Sequence, residues 1–560
     1  MKRLKTTLSL LTVMAATSSF AQTAHFSYFS YQGHDARFER TINDKNQYFN
    51  PVVSGYYPDP SVLRVGDTYW LVNSTFGYFP GVPLFKSHDL VSWKQVGSVL
   101  DRNSQLDLST AEINTGGVYA PQISYNPKNK TYYMTTMNMS KFDVFYVKST
   151  NPEKGWSEPI HMKYGGMDTS FFFDKDGKAY VVYNAQPFAG SKYPGQTAIH
   201  MNEFDWRGDS IKGKTWELTT GSSCMENPIC IEGPHLYRVG KYYYLMAAEG
   251  GTENGHSEVI FRSKSLTGQW EEYPSNPILT QRNLKEELRQ DKVTCTGHAD
   301  LVQAQDGKWW AVFLGCRPYR GDDSDPAPYY ADLFNTGRET FLLPVTWKDG
   351  WPIILERGKA VPTVVDKANL QSTEAERPTG NYSFRDEFTT TSLNPQWMYL
   401  RNPVASNYQL GNGLTLKPSE ATLSEIKQPT ALLFRQKNTS FTVETAMSYT
   451  PENTSIAGLA LMQNEKNHIV FGKTLINGEP RLVLMLTAKG TTVTAASVKD
   501  NAAAVTLKVE GNGRFYSFLY KSTDGNWHTL ASGVDCAFLS TPRAGGFAGV
   551  TVGPYTSLHQ

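Results

Sequence analysis

The sequence predicts an all-β chain of two parts, a five-bladed β-propeller followed by a β-sandwich, and two patterns carry that prediction. The first is a unit stated five times, in which an acidic or polar residue precedes an aromatic strand by a near-constant distance. Asp59 leads to Tyr69, Gln122 to Tyr132, Asp168 to Tyr180, Glu232 to Tyr243 and His298 to Trp309, at offsets of 10, 10, 12, 11 and 11 residues. The aromatic positions recur at intervals of 63, 48, 63 and 66 residues. Such a period marks radial repetition, because a small antiparallel sheet cannot bury both of its faces alone and must pack against the next. The second pattern begins near Phe384, where period-two strands alternate with polar turns, as expected of two packed sheets.

Taken in order, the chain opens on what reads as an export signal. Lys2, Arg3 and Lys5 precede a mostly apolar run from Leu8 to Ala16, and Ser19-Phe20-Ala21 supplies small residues for a cut after Ala21. Gln22 follows the cut in place of Cys, so no lipid anchor is indicated, and the destination is periplasmic or extracellular. Residues 22–50 are polar and aromatic without a clear period, a lead-in expected to close against the repeat. Residues 51–360 hold the five units. Their outer parts also rhyme: Trp93, Trp156 and Trp270 each follow a polar turn and are placed to pack between neighbouring sheets. Asp176-Gly177 and Asp306-Gly307 supply the left-handed conformations of tight hairpins. An insert at Asn276–Cys295 breaks the strand pattern, with one or two helical turns expected at Leu284–Arg289. Residues 361–382 form a connector rich in Thr, Glu and Pro.

The second domain is expected over 383–560. Phe441, Val443, Thr445, Met447 and Tyr449 alternate with polar or small residues, the mark of a strand with one buried face. Further strands are expected at Ala457–Leu461, Val505–Val509, Arg514–Tyr520 and Gly546–Val552.

Composition narrows the function. The 560 residues carry 13% aromatics, 45 Gly and 30 Pro, which favours strands and turns over helices. The formal charge of +1 falls to −2 once the three basic residues of the signal are removed. That balance gives no support to nucleic-acid or anionic-membrane binding, which need a concentrated basic surface. No apolar run after the signal is long enough to span a bilayer. Five irregularly spaced cysteines make neither a zinc site nor a disulfide framework. Cys224 and Cys230 could bridge and brace the loop before Glu232, or remain small buried thiols.

Asp59, Asp168 and Glu232 sit in stiff surroundings: Pro58-Asp59-Pro60, Gly165-Gly166-Met167-Asp168 and Glu232-Gly233-Pro234. A solvated surface acid needs no such framing, and in a propeller the innermost strand of each blade can bring such residues to one axis. Acetal hydrolysis needs one protonated carboxyl to donate to the leaving oxygen and one carboxylate to activate water or attack. Three acids allow that division, since a neighbouring negative charge raises a carboxyl's pKa. The plain alternative for each acid is a turn residue. His298, at the fifth axial position, could hold a metal or a water network, or simply hydrogen-bond within the core. Arg317 is a candidate donor to sugar hydroxyls; its alternative is a structural ion pair. No His-Glu-x-x-His motif or glycine-rich phosphate loop is present.

Several of these segments resemble glycoside hydrolase family 43 in its β-xylosidase and α-L-arabinofuranosidase branch. They are Tyr57-Pro58-Asp59-Pro60-Ser61, Tyr119-Ala120-Pro121, Met167-Asp168-Thr169, Glu232-Gly233-Pro234-His235 and Gly297-His298-Ala299-Asp300, continuing through Ala248–Thr252, Leu314–Pro318 and Gly337–Phe341. Phe384–Phe388 and Trp397–Pro403 resemble the start of that branch's C-terminal concanavalin-like sandwich. The resemblance implies an inverting enzyme with Asp59 as general base, Glu232 as general acid and Asp168 as the residue that raises and orients the acid. It implies that His298 lies beneath the sugar, where many members hold a calcium ion through water, that Arg317 binds sugar, and that Tyr119 stands where many members carry Trp. The acid and base of an inverting pair are expected about 6.5–9.5 Å apart. The implied activity is exo-cleavage of β-1,4-xylooligosaccharides, with removal of arabinose from arabinoxylan or arabinan as the near alternative. Two readings from other classes are a carbohydrate-binding propeller that has lost catalysis and a protein-interaction propeller. Retention of all three acids counts against the first, and the second predicts exposed aromatics at the rim and no need for a buried acid triad.

Overall fold

In the computed structural model, the described residues are 23–285, 291–320, 332–371 and 375–560. The export signal, and most of the helical turn expected at 284–289, lie outside them. The propeller has five blades, each a meander of antiparallel strands. Blade 1 comprises Ser61–Val65, Thr68–Val72, Gly81–Ser87 and Lys94–Leu100; blade 2, Val118–Asn126, Thr131–Asn138, Asp143–Ser149 and Ile160–Met162. Blade 3 comprises Met167–Phe173, Ala179–Ala185, Ala198–Asp205 and Ser210–Thr219; blade 4, Glu232–Val239, Tyr242–Glu249, Ser257–Ser263 and Glu271–Glu272, with Leu279–Thr280 added. Blade 5 comprises Thr294–Gln303, Trp309–Cys316, Glu339–Lys348 and Trp351–Ile353. The aromatic that follows each axial residue therefore opens, or closely follows the start of, the second strand of its blade.

One buried carboxylate ties three blades together where the ring closes. Asp300 of blade 5 accepts the Ser61 hydroxyl at 2.8 Å and the Val62 N–H at 2.9 Å from blade 1, and the Tyr237 hydroxyl at 2.7 Å from blade 4. Trp93 and Trp156 are buried in the apolar layers between blades, and Trp270 is partly buried against the core of blades 3 and 4.

The sandwich pairs an eight-stranded sheet with a seven-stranded one around a core that includes Phe26, Phe29, Trp397, Phe434, Phe441 and Phe471. Ser440–Ser448 alternates buried and half-buried residues as its sequence predicts. The lead-in differs from expectation. Ala24–Gly33 lies inside the eight-stranded sheet, between Leu414–Leu416 and Ser440–Ser448, while Gln47–Phe49 pairs with Val364–Asp366 beside the propeller. A bulge between Phe26 and Tyr28 puts Phe26 and Phe29 on the same face, which erases the period-two signal. The chain thus starts in the sandwich, builds the propeller and returns. The strand expected from Gly546 begins only at Thr551, because Gly545 (φ 79°) and Gly546 (φ 78°) turn the preceding residues into a loop.

The domains interlock. Tyr78–Phe79 of the propeller pairs with Tyr399–Leu400, and Tyr56, Phe76 and Tyr78 share a buried cluster with Met398, Leu433 and Ala460.

Candidate active site

The axial residues share one backbone device. In blades 2 to 5 the pairing of the first two strands slips at corresponding places: between Tyr119 and Gln122, Met167 and Ser170, Glu232 and His235, and Gly297 and Asp300. Each slip contains a left-handed residue: Ala120 (φ 37°), Asp168 (φ 48°), Gly233 (φ 54°) or His298 (φ 51°). Asp59 (φ 50°) stands at the same point ahead of blade 1. Bulges re-aim side chains, and a non-glycine held left-handed costs about 1–3 kcal/mol, a strain that clusters at functional sites. The structural equivalents are therefore Ala120 rather than Gln122, and Gly233 rather than Glu232. Glu232 sits one residue ahead of the common position. Gly233 is required there because a Cβ would stand 3.0 Å from the His298 ring.

The bulges bring the predicted acids together. Asp168, Glu232 and His298 each place a polar atom within 4.8 Å of the other two, and His298 Nδ1 lies 3.9 Å from Asp59 Oδ1. The Ser74 hydroxyl donates to Asp59 Oδ2 at 2.6 Å and itself accepts the Ala120 N–H at 2.7 Å. The Gly233 N–H donates to Asp168 Oδ2 at 3.1 Å, tying Asp168 to the turn that bears Glu232. Burial, reinforced by the Asp168 and Asp59 charges, holds the Glu232 carboxyl well above the ordinary range, with Arg338 opposing. Asp168 is raised mainly by burial, with His298 opposing and Asp59 adding to the rise.

These groups open into a cavity of about 340 Å³ lined also by Phe76, Tyr119, Met139, Met167, Thr252, Arg338 and Phe547. That is near the lower limit for ligand pockets and suits one sugar residue better than a chain. Tyr119 contributes its ring, since its hydroxyl donates to the Thr115 carbonyl at 2.6 Å. Phe547 comes from the sandwich loop at 545–550 and packs on Phe76 and Tyr119, with ring centroids 5.8 Å apart in both cases. Asn114 anchors that loop by accepting the Phe547 N–H at 2.9 Å and donating to the Gly545 carbonyl at 2.8 Å.

Arg317, expected to meet the sugar, stands elsewhere. It is fully buried between the domains, donating to Glu339 at 2.6 and 2.9 Å, to Asp35 at 2.7 Å and to the Lys437 carbonyl at 2.6 Å. The arginine that lines the cavity is Arg338. It donates to the Phe547 carbonyl at 3.2 Å and the Thr252 carbonyl at 3.4 Å, and its buried Nε has no partner within the protein. The signal for it was present in Gly337-Arg338-Glu339-Thr340-Phe341. Phe547 carried no comparable signal, because its segment reads as strand.

The same three side chains, Asp168, Glu232 and His298, are the candidate metal ligands among the described residues. As a direct calcium cage the set is short of oxygens, for calcium takes six to eight. The axial cavity beneath has about 10 Å³, room for about one water. Its Ser61, Gln122 and Ser170 side chains already bond to Asp300, the Phe171 N–H and the Pro234 carbonyl. Cys224 and Cys230 are separate thiols, and Cys224 donates to Glu249 at 3.1 Å.

Comparison with known proteins shows the family. The family described as Glycosyl hydrolases family 43 matches residues 48–352, and the Beta xylosidase C-terminal Concanavalin A-like domain matches residues 385–560. The chain belongs to glycoside hydrolase family 43. A xylosidase/arabinosidase from Butyrivibrio fibrisolvens is 33% identical over 523 residues, covering 91% of this chain and 95% of that protein. A non-reducing end α-L-arabinofuranosidase from Bacteroides ovatus is 34% identical over 519 residues, covering 91% of both. Among solved structures, a GH43_12 protein from a capybara gut metagenome superposes with a TM-score of 0.87 at 37% identity, covering 96% of this chain and all of the other.

Proposed function

We propose that this family 43 hydrolase is exo-acting and inverting, and that it releases xylose from the non-reducing ends of β-1,4-xylooligosaccharides. The observation that carries the reading is the division of labour in the cavity. Burial together with the Asp168 and Asp59 charges holds the Glu232 carboxyl well above the ordinary range, whereas Asp59 accepts the Ser74 hydroxyl at 2.6 Å and faces His298 at 3.9 Å. Asp59 acts as the base, taking a proton from a water that attacks the anomeric carbon. Glu232 donates its proton to the departing oxygen from the opposite side. Asp168 touches the Gly233 N–H and acts on Glu232 by its charge and by fixing the turn. Arg338, which lines the cavity, is the sugar-hydroxyl donor, and His298 floors the pocket beside Asp59.

The wall formed by Phe76, Tyr119 and Phe547 limits the cavity to a terminal sugar. A second reading, release of arabinose from arabinoxylan or arabinan, is favoured by the name of the Bacteroides ovatus relative, while that of the Butyrivibrio fibrisolvens relative covers both sugars. Side-by-side hydrolysis of aryl β-D-xylopyranoside and aryl α-L-arabinofuranoside, with Asp59→Ala as control, decides between them. Turnover of the xyloside that vanishes in the control supports the first reading; preference for the arabinoside moves the function to side-chain removal. Silence on both overturns the catalytic reading. We also infer export, on the strength of the N-terminal signal; N-terminal sequencing of the secreted protein should begin at Gln22. No helix among the described residues is long and apolar enough to cross a membrane.

A further inference from the structure

The loops joining the second and third strands of the blades all lie at the end of the propeller that bears the acids. Four of them supply the cavity: Phe76 from blade 1, Met139 from blade 2, Thr252 from blade 4 and Arg338 from blade 5. The blade 3 loop, residues 186–197, supplies no lining residue. Phe547 of the sandwich touches Phe76, Tyr119 and Arg338, and so closes the side of the cavity formed by blades 5, 1 and 2. The blade 3 side is thus the one on which no loop between second and third strands borders the cavity.

Two exposed rings stand at this end of the propeller, one on blade 3 and one on blade 2 beside it. Among the described residues of the propeller, the large hydrophobics left open to solvent are Phe142, 80% exposed, and Phe188, 62% exposed. Both belong to loops between second and third strands, in blades 2 and 3. Single exposed apolar residues are ordinary, but the backbone of each of these two is hydrogen-bonded and the Phe188 ring has a neighbour. Phe142 is left-handed (φ 50°), and its N–H bonds to the carbonyl of Met139, a residue of the cavity wall, at 3.2 Å. Phe188 donates its N–H to Glu217 at 2.7 Å, and its ring rests 4.5 Å from that of His200.

We propose that Phe142 and Phe188 form an aromatic platform for the sugar rings on the leaving-group side of the scissile bond, and that the occupant is a linear β-1,4-linked xylose chain. The apolar faces of pyranose rings stack on such side chains, and the Phe188 ring, braced on His200, loses little freedom on binding. The proposal rests on the pentose-releasing reading above and extends it from the terminal sugar to the chain.

The test is the affinity of a Glu232→Gln variant for xylohexaose and for xylobiose by titration calorimetry. The platform should make the hexaose bind about tenfold tighter than the dimer. Adding Phe142→Ala or Phe188→Ala should cut that ratio about two- to fivefold, and both together should bring it near one. Phe142→Trp should restore it, and Phe515→Ala, which removes an exposed ring on the sandwich, should leave it alone. A hexaose that binds no better than the dimer, or a ratio unmoved by the double substitution, overturns the platform. Turnover of aryl glycosides by the wild type reports separately on the underlying reading, so the two can fail independently.

Discussion

Asp168 and Glu232 are both raised by burial, yet they face each other across a short gap, and that contact gives the site a measurable pH signature. Raised in the folded state, the Glu232 carboxyl stays protonated at pH values where a free carboxyl would ionise. Activity that needs this proton is lost as pH rises through the folded pKa. Replacing Asp168 by Asn removes the second-largest cause of the rise, so the alkaline limb of kcat/KM should move to lower pH without disappearing, because burial remains. An unmoved limb would remove Asp168 from this role. Linkage adds a stability test: a raised folded pKa contributes stability that is complete below the unfolded pKa and lost through the folded one. Glu232→Gln should therefore match the wild type in melting temperature at low pH and exceed it on the alkaline side. The same substitution should slow hydrolysis of natural xylosides about 10²- to 10⁴-fold. It should spare aryl substrates whose leaving groups need no proton, whereas Asp59→Ala disables both. Arg338→Ala should lower kcat/KM about 10- to 100-fold by removing a charged donor, with no rescue by Lys, whose point charge does not reproduce the planar fork.

At the scale of the element, the recurrent bulge explains both what the sequence revealed and what it hid. Asp59, Asp168 and His298 were legible because each occupies the left-handed position at the head of its blade, and the aromatic strands behind them keep a near-constant distance. Gln122 and Glu232 fall two and one residues away from that position, a displacement that spacing alone cannot detect. A bulge inserts a residue without changing which aromatic begins the next strand. A bulge also hid the N-terminal strand at Ala24–Gly33, while Ser440–Ser448, which has none, was readable from alternation. Glycine pairs misled in the opposite direction: Gly545 and Gly546 end in a loop a segment whose apolar content suggests a strand, and that loop carries Phe547 to the cavity. Gly546→Val sets a Cβ 2.4 Å from Asn114 Nδ2 and 2.8 Å from its carbonyl oxygen, at a φ that only glycine adopts easily. Steady-state kinetics should show KM rising severalfold as Phe547 is displaced, with a smaller change in kcat and a melting temperature lowered by the strain of about 1–3 kcal/mol.

Across the whole molecule, the sandwich draws on both ends of the chain. Ala24–Gly33 precedes the propeller in the chain but belongs to the sheet of the domain that follows it, so the sandwich lacks a strand until both ends of the sequence are present, whereas the five blades take all their strands from Ser61 to Ile353. The seam between them is pinned by Arg317, which bonds to Asp35 of the lead-in, Glu339 of blade 5 and the Lys437 carbonyl of the sandwich. Sequence reasoning offered two fates for this residue, contact with the sugar or a structural ion pair, and the distances favour the second. The two make opposite kinetic forecasts. Arg317→Leu leaves Asp35 and Glu339 buried without their cation, a loss of about 3–5 kcal/mol, and urea unfolding should show the midpoint falling by a corresponding amount. The surviving folded protein should keep the KM of the wild type, because no atom of Arg317 borders the cavity. Arg338→Ala should do the reverse, raising KM while leaving the urea midpoint nearly in place. If Arg317→Leu raised KM without shifting the midpoint, the seam would not be what this arginine serves, and the sugar would have to reach it by an opening of the two domains.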